Sequence, residues 1–317
     1  MTVRWGFLGA GFVASKGMAP AVHDAQHATL FGVASRDAAR SAQLEPENVY
    51  GSYDELLADP RVQGVYISLA NSQHLEWVEK SLRAGKHVLC EKPLGLNAQE
   101  VRSMFATANE CGVMLVEAVW AQWHPRFQRL VDVVRSGAIG DVEAITSRFT
   151  FMSDMTNNYR LNPQMGGGAL LDVGCYQVHA WAALTGGAGV CALAGVHREL
   201  GESGVDLTTE VAAVVNGATA VRATSSFDLP ASQELEVRGS LGKVHMGEGE
   251  AFSSWNEATT LVLNGEVEHF APVNAFEVMV NDVSQLIMGE SGWRVSPEQS
   301  VRVAEVLDEI QSFYRSR

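Results

Sequence analysis

The chain is poor in cysteine and has no cysteine pairing pattern. Its four cysteines, at positions 90, 111, 175 and 191 of 317, include no CxxC pair, so neither a disulfide framework nor a structural zinc site is expected. The nine histidines are scattered without HExxH spacing, and no metal is expected. Basic residues are in deficit, 23 Lys and Arg against 37 Asp and Glu, for a net charge of -14. A surface of that sign repels phosphate backbones and anionic headgroups, which argues against nucleic acid or a membrane surface as partner. No apolar run approaches the roughly 20 residues of a membrane span. The first residues enter a strand-like "TVRWGFLG" without a charged leader, apolar stretch and cleavage site, so a cytoplasmic location is expected.

What is present is an ordinary globular composition, 46% hydrophobic with 30 glycines, over a length that suits two domains. Residues 1–123 alternate apolar strands with amphipathic helices. Strands are expected at 3–9, 28–35, 64–70, 86–90 and 113–119, and helices at 12–24, 36–44, 53–59, 72–85 and from Asn97 to 112. That alternation implies a parallel sheet covered on both faces, an α/β domain of the doubly wound, Rossmann type. Residues 124–317 change character. A helix at 125–136 leads into alternating strands, with Asn216-Gly217 and Asn264-Gly265 as hairpin turns. Further helices are expected at 168–185, 275–289 and 297–315. This half reads as an α+β domain with a largely antiparallel open sheet.

Gly9-Ala-Gly11-Phe-Val-Ala14 lies between the first strand and the first helix. Gly9 permits a tight turn, Gly11 admits a pyrophosphate to the backbone, and Ala14 keeps the helix against the sheet. After the second strand the chain reads Ser35-Arg36-Asp37, with Arg40 one turn later. A hydroxyl and guanidinium groups suit a 2′-phosphate, which favours NADP; Asp37 is either a helix cap or a holder of the NAD ribose, so NAD stays possible. In "HVLCEKPLG", Lys92 follows an apolar strand directly, where a ligand cleft opens in such sheets. In "GGGALLDVGCYQVHAWAAL", Asp172, Tyr176 and His179 stand at i, i+4 and i+7 and share a helix face, with Leu170, Val173, Val178, Trp181 and Leu184 as the opposite core stripe.

The combination resembles the glucose-fructose oxidoreductase / inositol dehydrogenase / rhizopine-catabolism (Gfo/Idh/MocA) family over the whole chain. The matching residues are Gly9-x-Gly11-x-x-Ala14, Ser35-Arg36-Asp37, Asn71 and His74 in "LANSQH", Glu91-Lys92-Pro93, "EAVW" at 117–120 and "GGGALLDVGCY" at 166–176. Tyr176 is similar to the branch of dimeric dihydrodiol dehydrogenase, NADP-dependent xylose dehydrogenase and anhydrofructose reductase. The resemblance implies that Gly9, Gly11, Phe12, Val13, Ser35, Arg36, Arg40, Leu69, Asn71, His74, Glu91 and Lys92 serve the cofactor. It also implies a cis Pro93, and a homodimer or homotetramer formed through the C-terminal sheet. The chain departs from that branch at Gln122, where relatives often carry Arg. Trp120, Gln122, Arg160, Asp172, Tyr176 and His179 are substrate-side candidates, with Trp123 and His124 nearby.

The expected chemistry is reversible hydride transfer between NADP and a secondary alcohol of a sugar or cyclic polyol. Tyr176 would be the acid/base and Lys92 the group that polarises the reacting oxygen. Asp172 would hold a substrate hydroxyl or Lys92, and His179 would orient a hydroxyl or relay the proton. Alternatives are a trans-dihydrodiol dehydrogenase, a redox-cycling glycosidase or epimerase, and a non-catalytic NADP-binding sensor.

Overall fold

Strand β1 (Val3–Leu8) buries every residue except Arg4, and the strands that follow it are similarly apolar. These are β2 (Ala28–Ala34), β3 (Asn48–Tyr50), β4 (Gly64–Ile67), β5 (His87–Glu91) and β6 (Leu115–Ala118). They pair in parallel in the order β3-β2-β1-β4-β5-β6. The helices that alternate with them are α1 (Ala19–Asp24), α2 (Ala38–Ala42), α3 (Tyr53–Ala58), α4 (His74–Arg83) and α5 (Ala98–Cys111). Strand order reverses between β1 and β4, and a ligand-binding crevice forms beyond the carboxyl ends of strands at such a point. The computed structural model describes residues 2–153, 155, 158–186 and 190–315.

Helix α6 (Pro125–Arg135) precedes the second sheet. That sheet contains β7 (Val142–Met152), β8 (Val190–Leu200), β9 (Asp206–Val215), β10 (Thr219–Ser226), β11 (Asp228–Gly239), β12 (Lys243–Met246), β13 (Thr259–Leu263) and β14 (Glu266–Phe270). Its order is β14-β13-β12-β11-β7-β10-β9-β8, antiparallel except for the β7–β10 pair. Helices α7 (Cys175–Leu184), α8 (Ala275–Ile287) and α9 (Pro297–Arg315) complete the order.

The polypeptide forms two compact units, residues 1–95, 99–120 and 274–297, and residues 96–98, 121–273 and 298–317. Helix α8 therefore belongs to the first unit. Trp5 Nε1 donates to Ser284 Oγ (3.0 Å), the His27 amide donates to Asn281 Oδ1 (3.1 Å), and Phe276 stacks on Trp120.

Three expectations are corrected. The expected first helix contains a π-helical turn, Ala14–Met18, before α1. Strand β8 was not expected, since "VCALAGVHREL" lacks clean alternation and carries Gly195 in its middle. The region 170–184 has no polar outer face: a π-helical turn, Leu170–Gly174, runs into α7, and every residue from Leu170 to Leu184 is buried. A π-turn also shifts the angular register, so spacings of four and seven do not map onto one ideal face.

Candidate functional site

In the first unit the glycine turn follows β1 directly. Gly9 has φ +102°, and a Cβ there would lie 2.6 Å from the Ser68 carbonyl oxygen, so only glycine fits. At Gly11 the nearest atom to an added Cβ is 3.7 Å away, which leaves the approach open for a pyrophosphate. Phe12 is 70% exposed beside this opening and Val13 is half-buried, while Ala14 is fully buried against the sheet.

At the end of β2, Asp37 Oδ1 accepts from the amides of Ala39 (2.9 Å) and Arg40 (3.3 Å). Asp37 is thus the cap of α2, one of the two roles left open by the sequence. Ser35 Oγ bonds the Asp37 carbonyl (2.7 Å) and Ser41 Oγ (2.8 Å). Arg36 is exposed, and its charge opposes the rise that burial imposes on the Tyr53 phenol pKa. Arg40 is also exposed, and its Nη2 donates to the Ala10 carbonyl (2.9 Å), tying α2 to the glycine turn. This cradle, with a serine and two arginines at the end of β2, fits a dinucleotide carrying a 2′-phosphate.

Lys92 leaves β5 half-buried, and the Lys92–Pro93 peptide is cis. The loop behind it is fixed on both sides. Pro93 O faces His74 Nδ1 (2.9 Å), and the Leu94 amide donates to Glu117 Oε1 (3.0 Å). Glu91 is buried and accepts from Tyr66 Oη (2.7 Å); burial and this carboxylate push the Tyr66 phenol well above its ordinary range. The ring of His74 is fully buried between Pro93 O and Leu69 O (3.2 Å). It ties the Leu69–Asn71 turn to the lysine loop, and burial lowers its pKa. Leu69 is half-buried, and Asn71 is buried at the head of the turn before α4. Trp120 is 5% exposed and stacked on Phe276, with centroids 4.6 Å apart and planes at 22°.

In the second unit, two of the glycines before the π-turn sit against close neighbours. A Cβ at Gly167 would lie 2.3 Å from the Arg160 carbonyl oxygen, and one at Gly168 would lie 2.1 Å from Asp206 Oδ1. That approach brings Arg160 Nε to 2.6 Å from Asp172 Oδ2. Burial opposes the Arg160 charge, and the Asp172 carboxylate outweighs it and raises the guanidinium pKa. Asp206, a residue with no sequence signal, accepts from the Leu170 amide (2.8 Å) and Thr209 Oγ1 (2.6 Å), and so anchors the start of the helical segment. Burial raises its pKa.

Tyr176 is 7% exposed, its ring packed 5.7 Å from Phe149 and 6.3 Å from Phe252, which themselves stack. Gln177 ties α7 to the sheet through Ser147 (2.8 Å) and Ser225 (2.8 Å). His179 is fully buried. Gln122, expected to face substrate, is 2% exposed and drawn inward: its Nε2 donates to the His179 carbonyl (3.2 Å) and its Oε1 accepts from Gln299 Nε2 (3.2 Å). Trp123 is buried. His124 caps α6, its Nδ1 accepting from the Arg126 amide (3.1 Å), and burial, with Arg126 nearby, lowers its pKa to about 4.

Among the described residues no group of three or more His, Cys, Asp or Glu could hold a metal ion, and no helix is long and apolar enough to cross a membrane.

Comparison with known proteins agrees with both halves of this arrangement. The model of an oxidoreductase family with an NAD-binding Rossmann fold (GFO/IDH/MocA) matches residues 3–119, and the C-terminal domain model of the same family matches 127–245. D-xylose 1-dehydrogenase (NADP(+)) 2 of Haloferax volcanii is 34% identical, over 97% of this chain and 96% of its own. Trans-1,2-dihydrobenzene-1,2-diol dehydrogenase of Mus musculus is 34% identical over 86% of this chain and 81% of its own. A 3-ketoreductase from Actinomadura kijaniata, solved with NADP and TDP-benzene, superimposes with a TM-score of 0.89 at 26% identity, covering 98% of each chain. The chain belongs to the GFO/IDH/MocA oxidoreductase family.

Proposed function

We propose that the protein is an NADP(H)-dependent oxidoreductase acting on a secondary alcohol or carbonyl of a sugar or cyclic polyol. When bound, NADP supplies the nicotinamide that takes or gives the hydride. Gly9 and Gly11 border the pyrophosphate, Ser35, Arg36 and Arg40 receive the 2′-phosphate, and Phe12, Val13, Leu69, Asn71 and Glu91 line or support the same crevice.

Tyr176 takes the alcohol proton on its phenolate in oxidation and returns it in reduction. Lys92 polarises the reacting oxygen. Asp172, oriented by Arg160, accepts from a substrate hydroxyl. The observation that carries this reading is the buried Tyr176 and Asp172 on one helical segment, in a chain whose Lys92 directly follows β5. It is supported by the A. kijaniata ketoreductase, of which variant structures replace a lysine by alanine and a tyrosine by phenylalanine.

The substrate side contains a second observation. The Phe149–Phe252 stack beside Tyr176 also suits a flat apolar ring, so an aromatic trans-dihydrodiol is the second reading. The protein works as a homodimer or homotetramer in the cytoplasm, joined through the sheet face that exposes Thr146, Arg148, Arg222 and Glu234. Light scattering tests the assembly. The reaction is tested by screening NADP+ and NAD+ against sugars, inositols and dihydrodiols, following reduced nicotinamide. Turnover with a polyol that is lost in Lys92→Ala and Tyr176→Phe supports the assignment; activity surviving both substitutions overturns it.

A further inference from the structure

Gln122, Gln299 and His179 form a closed polar circuit inside the second unit. The amide orientations follow from what each must face. Gln122 lies 3.2 Å from the His179 carbonyl through its Nε2. Turned over, it would set one carbonyl oxygen against another, so the nitrogen must point there. That leaves Gln122 Oε1 as an acceptor, and the Gln299 atom 3.2 Å from it must be the donor Nε2. The same Gln299 nitrogen lies 3.4 Å from His179 Nδ1. An amide nitrogen only donates, so Nδ1 must present its lone pair. The ring proton is then on Nε2. His179 thus has its own tautomer dictated by its own carbonyl, through two glutamine side chains.

We infer that Gln122 and Gln299 are positioning residues that hold His179 as the neutral Nε2–H tautomer, a hydrogen-bond donor and not a proton relay. The functional half of this inference rests on the reading of Tyr176 as acid/base. His179 follows Tyr176 by three residues on α7, where side chains are neighbours. A ring that already bears its proton on Nε2 cannot accept another there from the phenol. On that nitrogen it can only donate, to a substrate or side-chain oxygen. Arg at position 122 could not close the circuit: a guanidinium has no acceptor atom, and so could not receive the Gln299 amide.

The test is two-bond 1H–15N NMR of protein labelled at histidine, at about pH 8, above the ordinary imidazole range. His179→Gln identifies the signal by removing it. The expected wild-type pattern is Nε2 protonated and Nδ1 bare. Gln299→Leu should release the preference and give mixed tautomers. Gln299→Glu, which turns an acceptor toward Nδ1, should move the proton to that nitrogen and lower kcat/KM about tenfold, the worth of one misplaced hydrogen bond. An Nδ1–H ring in the wild type, or an unaltered ring in Gln299→Glu, overturns the tautomer assignment; if that variant does not fold, the wild-type spectrum decides alone. A moved proton with unchanged kcat/KM overturns the positioning role. The spectrum needs no substrate, so failure to turn over any polyol counts against the proposed reaction and leaves the tautomer standing.

Discussion

Replacing Arg160 by Gln should destabilise the second unit and do so through Asp172. The two charges meet at 2.6 Å, with side-chain exposures of 27% for Arg160 and 8% for Asp172. Removing one partner of a fully buried pair costs about 3–5 kcal/mol, because the remaining charge is stranded. Water reaches part of the Arg160 side chain, so the loss expected here is smaller, about 2–3 kcal/mol. For a unit of this size each kcal/mol moves Tm by about 2–4 °C, which places the shift at about 4–12 °C. Differential scanning calorimetry reads it. The cause is isolated by a double-mutant cycle with Asp172→Asn, where the second substitution should cost much less once the first is made, with a coupling of about 2 kcal/mol. Additive effects, or a loss under about 0.5 kcal/mol for Arg160→Gln, would show that the close contact is electrostatically idle.

Other expectations follow from the same structure. Tyr176→Phe should lower kcat by about 10²–10⁴-fold with little change in NADP affinity, measured by stopped-flow absorbance and cofactor fluorescence titration. Arg36→Ala should weaken NADP binding by roughly 10- to 100-fold, the worth of a charge-assisted contact, and leave NAD binding nearly unchanged. Gly167→Ala places a methyl 2.3 Å from the Arg160 carbonyl oxygen and should reduce soluble yield and Tm, whereas the same change at Gly137, with nothing within 4 Å, should cost only the strain of its φ of +74°. His124 is held neutral, its pKa lowered by burial to about 4. Its contribution to stability is present above the unfolded value of about 6.5 and is lost as pH falls through about 4. Tm of His124→Asn should therefore fall less than wild type across that window.

The parallel half was legible because each of its signals is local. A strand, a glycine turn and a helix follow one another within "VRWGFLGAGFVAS", and Gly9 is demanded by Ser68 O, which lies at the end of the adjacent strand. Asp37 could be read as a cap or a ribose ligand from sequence, and only the position of the Ala39 and Arg40 amides decides between them. The helical segment from Leu170 was read as amphipathic because its polar residues recur at helical spacing. The structure covers that face too, so Asp172 meets Arg160 and His179 lies inside a glutamine circuit. Those partners come from 12 residues upstream and 120 residues downstream, distances over which no periodicity carries information. Asp206 escaped notice for the same reason: its role at the Leu170 amide is set 36 residues away.

The membership of α8 in the first unit has a consequence for biosynthesis. Trp5, in β1, waits for Ser284 to satisfy its indole N–H, and Trp120 waits for Phe276. A chain ending at residue 123 would carry all six parallel strands and still lack both of these partners. The cofactor-binding unit is thus finished almost last, after the whole antiparallel sheet has been translated, and a shortened polypeptide bearing only the glycine turn and its strands should be a client for chaperones rather than an autonomous nucleotide binder.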